Sequence, residues 1–205
     1  MIALIDYGSG NLRSVDNALR SQGAQVEILT DPSLLHNATA VVLPGVGAFG
    51  DCVRQIHQRG FWEPLQEWIA RDRPFLGICV GYQVLFEGSQ EAPDAAGMGF
   101  FKGQVRRFHT PGLKVPQIGW NSLELTDPSH ALWEGLPESP HVFFVHSFYP
   151  DPAEAEEVIA RCEYGPRFAA AAARGRVVGV QFHPEKSQAV GLGILRNFLD
   201  ALPPA

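Results

Sequence analysis

The sequence predicts an α/β fold: a doubly wound, mostly parallel sheet with flanking helices and a nucleophile elbow. Three observations predict it. Short apolar runs alternate with stretches of helical apolar spacing from Ile2 onward. In Gly77-Ile78-Cys79-Val80-Gly81 a cysteine stands between two glycines, the Gly-x-nucleophile-x-Gly pattern in which hydrolases often carry serine. A second glycine-flanked turn, Gly45-Val46-Gly47, follows another apolar run, and ligands in doubly wound sheets bind beyond the carboxyl ends of the strands.

Each element follows from its own residues. Ile2–Ile5 reads as a strand running into Asp6-Tyr7-Gly8-Ser9-Gly10-Asn11, then a helix from Leu12 to about Ser21. Gly8 and Gly10 suggest a dinucleotide fingerprint, but Arg13 stands where the third glycine belongs, so a tight strand-to-helix turn is the better reading. Gln25–Leu29 and Ala40–Leu43 are further strands, and helices fill much of 51–71. Phe75–Ile78 is a buried strand behind a proline, and Gly81–Phe86 has the spacing of a helix start. The sharp reversal between them demands glycine, because a side chain on either side of Cys79 collides with neighbouring backbone. It leaves the sulfur at a helix N-terminus, a setting that suits an anion. Taken alone, the pattern also fits a small buried cysteine. Residues 91–114 read as a polar, glycine-rich excursion, Val142–Val145 as a strand, Phe168–Ala173 and Val177–Phe182 as two strands joined by Arg174-Gly175-Arg176, and Val190–Leu202 as a closing helix.

Composition bounds the function. The 205 residues suffice for one domain with a substantial core, and no internal repeat or second domain is apparent. A net charge of −6 without a basic cluster argues against nucleic acid. No apolar stretch is long enough to cross a membrane, and the opening strand leaves no room for a signal peptide, so a cytoplasmic location is expected. The three cysteines, Cys52, Cys79 and Cys162, form neither a disulfide framework nor a metal clip. No metal and no cofactor is expected.

A thiol nucleophile needs a base, and the base needs a group to orient it. Of seven histidines, His183 has the fitting context, in Gln181-Phe182-His183-Pro184-Glu185 past a strand end. The proline stiffens the turn and lets Glu185 fold back onto the imidazole. A strand-end histidine capped by a neighbouring acid is the plainer alternative. His146, at the end of another strand, is a weaker competitor for the role of base. Val80 supplies one oxyanion N–H in any such elbow, and Gly45-Val46-Gly47 is the natural source of the second, its glycines permitting close approach. Without Cys79 and His183, that stretch reads as a simple β-turn.

In combination, Gly77-Ile78-Cys79-Val80-Gly81-Tyr82-Gln83 and His183-Pro184-Glu185 resemble the class I, triad-type glutamine amidotransferases, whose fold is flavodoxin-like. Pro44–Phe49, Pro116–Asn121, Phe144–Tyr149 and Gly179–Ser187 are similar, within that family, to the glutaminase subunits of imidazole glycerol phosphate synthase, as is Asp6–Leu12. Val80 and Tyr82 depart from the leucine and methionine usual there.

The resemblance implies a glutaminase in which Cys79 attacks the substrate amide, His183 carries the proton and Glu185 orients it. Water then hydrolyses the thioester. It further implies an oxyanion hole from Val80 with Val46 and Gly47, and substrate contacts from Gly45, Gln83 and Glu91. Main-chain groups at Ser147 and Phe148 hold the substrate carboxylate. Its partner is a (βα)₈-barrel cyclase subunit in a heterodimer, which consumes the ammonia. Rival readings are another amidotransferase subunit of this fold, a peptidase on the same elbow, and a binding module that has lost the reaction. The retained triad argues against the last.

Overall fold

A computed structural model of the chain describes residues 1–8 and 11–203. Strands β1 (Ile2–Ile5), β2 (Val26–Leu29), β3 (Ala40–Gly45) and β4 (Phe75–Cys79) alternate with helices α1 (Leu12–Ser21), α2 (Phe49–Gln58) and α3 (Trp62–Ala70). The one-turn α4 (Val80–Gln83) leads to β5 (Gly88–Ser89), β6 (Gly103–Arg107), β7 (Gln117–Ser122), β8 (Glu124–Leu125), β9 (His141–His146) and β10 (Phe148–Pro152). Then come β11 (Val158–Glu163), β12 (Arg167–Arg174), β13 (Val177–Val180) and α5 (Gln188–Asp200).

The main sheet runs β2-β1-β3-β4-β13-β12-β11-β8. Its first five strands are mutually parallel, in the 2-1-3-4-5 order of doubly wound sheets. The remaining three extend it antiparallel. β1, β3, β4 and β13 are buried along their whole length, which is why they read as continuous apolar runs rather than alternating ones. α1 packs on α5, and two smaller sheets, the pair β7–β9 and the three strands β5–β6–β10, follow the elbow. Register aligns the ends of the central strands. Gly45 pairs with Cys79, and Val180 pairs with Ile78, so β3, β4 and β13 deliver their carboxyl ends to one place.

One expectation needs correction, and two strands, β10 and β11, carried no expectation at all. The helix expected over Gly81–Phe86 is a single turn, because the carbonyls of Val84, Leu85 and Phe86 accept from Met98, Phe101 and Gly99 and cannot propagate it. β11 was hidden by the run Glu154–Glu157 before it and by the lack of alternation along its mostly buried residues. β10 carries Pro150 and Pro152, which suit it only to the edge position it holds beside β6. The turn at Gly8 has φ 97°; Ser9 and Gly10, on which the dinucleotide reading also bore, lie outside the described residues.

The elbow is tight at both glycines. A Cβ on Gly81 would stand 1.9 Å from the Leu43 carbonyl oxygen, and one on Gly77 would stand 2.6 Å from the Gly81 oxygen. Both obstacles are backbone, so neither yields cheaply. Gly81→Ala is therefore expected to destabilise the chain by at least about 3 kcal/mol. Urea unfolding of the variant checks this, and a midpoint near wild type would show that β3 and α4 can part.

Candidate active site

Cys79 is the last residue of β4 and directly precedes α4; it adopts φ 55°, ψ −111°, a conformation that costs a non-glycine residue about 1–3 kcal/mol. Strain of this kind persists only where the surroundings enforce it. Here the glycine contacts do so, and the thiol is turned into a cavity of about 270 Å³. Val46, Gly47, Val80, Gln83, Glu91 and His183 are among its lining residues. Val80 begins a helix of only one turn, so its N–H has no acceptor within that helix.

His183 follows β13, with its side chain 2% exposed and Nδ1 2.8 Å from Glu185 Oε1. Glu185 has a side-chain exposure of 0%. Burial opposes a charge on the imidazole, but interaction with Cys79 and Glu185, together with their charges, outweighs it and raises His183 to about 9. Nε2 is buried and makes no hydrogen bond, and catalytic hydrogen bonds are often long or poorly aligned in unliganded sites. The turn is anchored from two sides. Ser187 Oγ donates to the His183 carbonyl and accepts from Phe143 N–H, and Gly191 of α5 packs against the Pro184 carbonyl.

His146 behaves oppositely. Burial pushes it down to about 4, against a hydrogen bond to the Phe148 carbonyl and with the His183 charge adding to the fall. It stays neutral, with Nδ1 2.8 Å from Phe148 O. A base so weak does not compete with His183. Of the other histidines, His36, His57 and His109 are exposed. His130 instead caps a turn by accepting from Leu132 N–H, and burial lowers it.

The turn after β3 is held at two carbonyls. Tyr7 Oη donates to Pro44 O at 2.8 Å, and Cys52 Sγ reaches Val46 O at 3.7 Å. Burial pushes the Cys52 thiol up to about 11, so it remains a donor. Because C=O and N–H oppose each other across a trans peptide, Gly47 N–H points away from Cys52. Gly45 cannot carry a side chain, since a Cβ would meet Gly81 N at 2.6 Å.

Among the expected substrate contacts, Gln83 is buried, and its Nε2 donates to Phe148 O and to Gln181 Oε1. Only its own carbonyl oxygen is left to face a ligand. Glu91 has one carboxylate oxygen 2.7 Å from Phe49 N, at the start of α2. The Ser147 and Phe148 carbonyls already accept from Phe108 N–H and from Gln83 and His146, respectively. Main-chain N–H groups there are thus what a carboxylate could use.

Two residues at the centre escaped the sequence reading. Asn11, in the left-handed region at φ 72°, leaves its helix uncapped and donates Nδ2 to Glu185 Oε1. A polar residue at a strand-to-helix turn looks like a cap, and nothing local reveals a partner so far along the chain. Gln181 is fully buried, and its Nε2 lies 3.6 Å from Cys79 Sγ. Strand alternation is a usable signal for it, since Gln181 and His183, two apart, share a face.

The comparisons agree with this geometry. The family description "Glutamine amidotransferase class-I" matches residues 3–202. Among curated relatives, "Imidazole glycerol phosphate synthase subunit HisH" of Microcystis aeruginosa is 50% identical over 201 residues, covering 97% of this chain and 94% of the relative. The protein of the same description in Acinetobacter baylyi is 41% identical over 200 residues, covering 97% of each. A solved structure described as "Crystal structure of glutamine amidotransferase" superposes with a TM-score of 0.77 at 20% identity, over 98% of each chain, which shows a shared fold. With a Cys-His-Glu cluster at the ends of β4 and β13 and a match over nearly its full length, this chain belongs to the class-I glutamine amidotransferases, and within them to the HisH subunits of imidazole glycerol phosphate synthase.

Proposed function

We propose that this chain hydrolyses glutamine to glutamate and ammonia, and passes the ammonia to a cyclase subunit. That partner, a (βα)₈ barrel, would form imidazole glycerol phosphate and aminoimidazole-carboxamide ribotide in histidine biosynthesis, in the cytoplasm. The observation that carries the reading is the strained Cys79 facing a His183 that Glu185 holds at 2.8 Å.

Cys79 attacks the side-chain amide carbon, forming the C–S bond. His183 carries the thiol proton and delivers it to the departing nitrogen, and the C–N bond breaks. Water, deprotonated by His183, then adds to the γ-glutamyl thioester, and the C–S bond breaks to give glutamate. Val80 N–H and the loop at Val46 and Gly47 stabilise the oxyanion in both steps. Gln83 Oε1 accepts from a substrate N–H, Glu91 faces the α-amino group, and N–H groups near Ser147 and Phe148 hold the carboxylate. Gly45 lets the substrate approach β3 closely.

Free hydrolysis would waste nitrogen, so the chain is silent until its partner is loaded. Tyr7 and Cys52 hold the carbonyls on both sides of the Gly45–Val46 peptide, so a reversal of that one peptide would have fixed flanks. One oxyanion donor is worth about 10²–10³ in rate, enough to gate the enzyme. Docking has a surface to use. Ile118 and Trp120, on one face of β7, are 65% and 48% exposed, and Pro116 just before that strand lines the cavity.

Three outcomes are expected. Cys79→Ala should abolish glutamine-dependent synthesis by the complex and leave synthesis from ammonium salts nearly intact; losing both in a folded complex overturns the division of labour. Glutamate release by the isolated chain should rise at least about 10²-fold on adding cyclase and its nucleotide ligand. Equal rates would remove the gate. Gly45 variants are poor probes of it, since any side chain there strikes Gly81.

The third outcome is a pH profile. His183 is raised above the ordinary 6.5, so its proton is retained at neutral pH and lost as pH rises through about 9. The kcat/KM of the liganded complex should therefore fall on an alkaline limb near pH 9. Glu185→Gln removes part of what raises His183 and should draw that limb to lower pH. His183→Ala should cost about 10²–10⁴-fold or more at every pH. A limb unmoved in Glu185→Gln would deny Glu185 its role.

A further inference from the structure

We propose that Gln181 is a catalytic residue whose carboxamide N–H donates to the Cys79 sulfur, holding it as thiolate before attack and receiving it as leaving group when the thioester is hydrolysed. This deepens the glutaminase reading of the same site and rests on it for the leaving-group role. The thiolate role concerns the thiol alone.

The donor's identity follows from a chain of hydrogen bonds that has one consistent direction. Phe148 O is a carbonyl and can only accept, so Gln83 must present its NH₂ group there, at 3.0 Å. The same nitrogen lies 2.9 Å from the Gln181 side chain, which must therefore present its oxygen. That turns the Gln181 NH₂ group toward Cys79 Sγ, 3.6 Å away. The reverse orientation would set two NH₂ groups face to face in a fully buried position. The strand pattern supports the placement, since Gln181 and His183 follow β13 and reach the sulfur together.

The chemistry of the two neighbours differs. His183 exchanges its proton during each turnover, so its interaction with the sulfur changes character in every step. A carboxamide has no proton to lose over the working pH range, so Gln181 is a donor in all of them. A hydrogen bond to an anion is about twice as strong as one to a neutral acceptor. Gln181 thus favours sulfur with an unshared charge over the neutral thioester. In acylation the sulfur pair forms the C–S bond, and the donor has secured the anion beforehand. In hydrolysis the C–O bond forms, the C–S bond breaks and its electron pair returns to sulfur, where the donor is waiting. Stabilising an anion also blunts its attack. With a Brønsted coefficient of about 0.4–0.5, a tenfold gain in thiolate costs only about threefold in nucleophilicity, so the donor is a net gain.

The test is the pH dependence of Cys79 modification by iodoacetamide in the full chain, read by peptide mass so that Cys52 and Cys162 are counted separately. Gln181→Met removes the donor. Gln181→Glu keeps the size and the oxygen that Gln83 needs, and replaces only the atom facing sulfur. We expect modification near neutral pH to slow by roughly tenfold in Gln181→Met and by more in Gln181→Glu, with the profile moved about one pH unit higher or further. In the complex, kcat for glutamine should fall by at least about tenfold with KM little changed, and γ-glutamyl enzyme should accumulate where hydrolysis becomes slow. Wild-type profiles in both folded variants would overturn the proposal. Should either variant fail to fold, the side-chain NH₂ resonances of Gln181 in the unsubstituted chain decide: they should shift as Cys79 titrates and fail to do so in Cys79→Ala. Because alkylation needs no glutamine, absence of glutaminase activity in wild type would sink the functional reading without touching this result.

Discussion

The contact on which this structure depends is between two stretches of backbone, the Leu43 carbonyl of β3 and the α-carbon of Gly81. It lets α4 start directly against the sheet, and so it forces Cys79 into a conformation that a cysteine would not choose. The strain at the nucleophile is small beside the apolar burial of the surrounding strands, each fully enclosed residue contributing about 1.5–3 kcal/mol. A packed core imposes a local cost at one residue and gains a thiol aimed outward. The same approach brings the Gly45–Gly47 turn beside the sulfur, because β3 and β4 end in register.

Electrostatics then separates two buried histidines that the sequence presents alike. His146 ends β9, His183 lies just past β13, and both lie by the cavity. His183 has Glu185 on one ring nitrogen and Cys79 on the other, so it holds a proton. His146 has a single carbonyl partner among aromatic rings and stays neutral. Burial works against charge in both. Only a neighbouring anion reverses the sign.

Much of this was legible in the residues. The elbow glycines, the His183-Pro184-Glu185 turn and the apolar runs of β1, β3, β4 and β13 each carry a local rule, and each was read correctly in type. What stayed hidden was settled by distant partners. The helix after the elbow stops early because a loop some fifteen residues on occupies its carbonyls. β11 is a strand because β12 and β8 flank it, not because its own pattern alternates. Asn11 and Gln181 join the site through bonds to residues 174 and 102 positions away. Local sequence can nominate such side chains only as polar residues near strand ends.

The insertion of β13 between β4 and β12 has a consequence for the growing chain. At about 5–20 residues per second, translation reaches Val177 roughly 5–20 s after Cys79. Throughout that interval one edge of β4 lies bare, a hazard for pairing with other nascent chains, and the nucleophile has neither its base nor its amide donor. Ribosome-bound fragments would therefore be inert toward glutamine however well their first half had folded. The order of synthesis is itself a safeguard, since the thiol is armed only once Gln181, 102 residues further on, and His183 have been made.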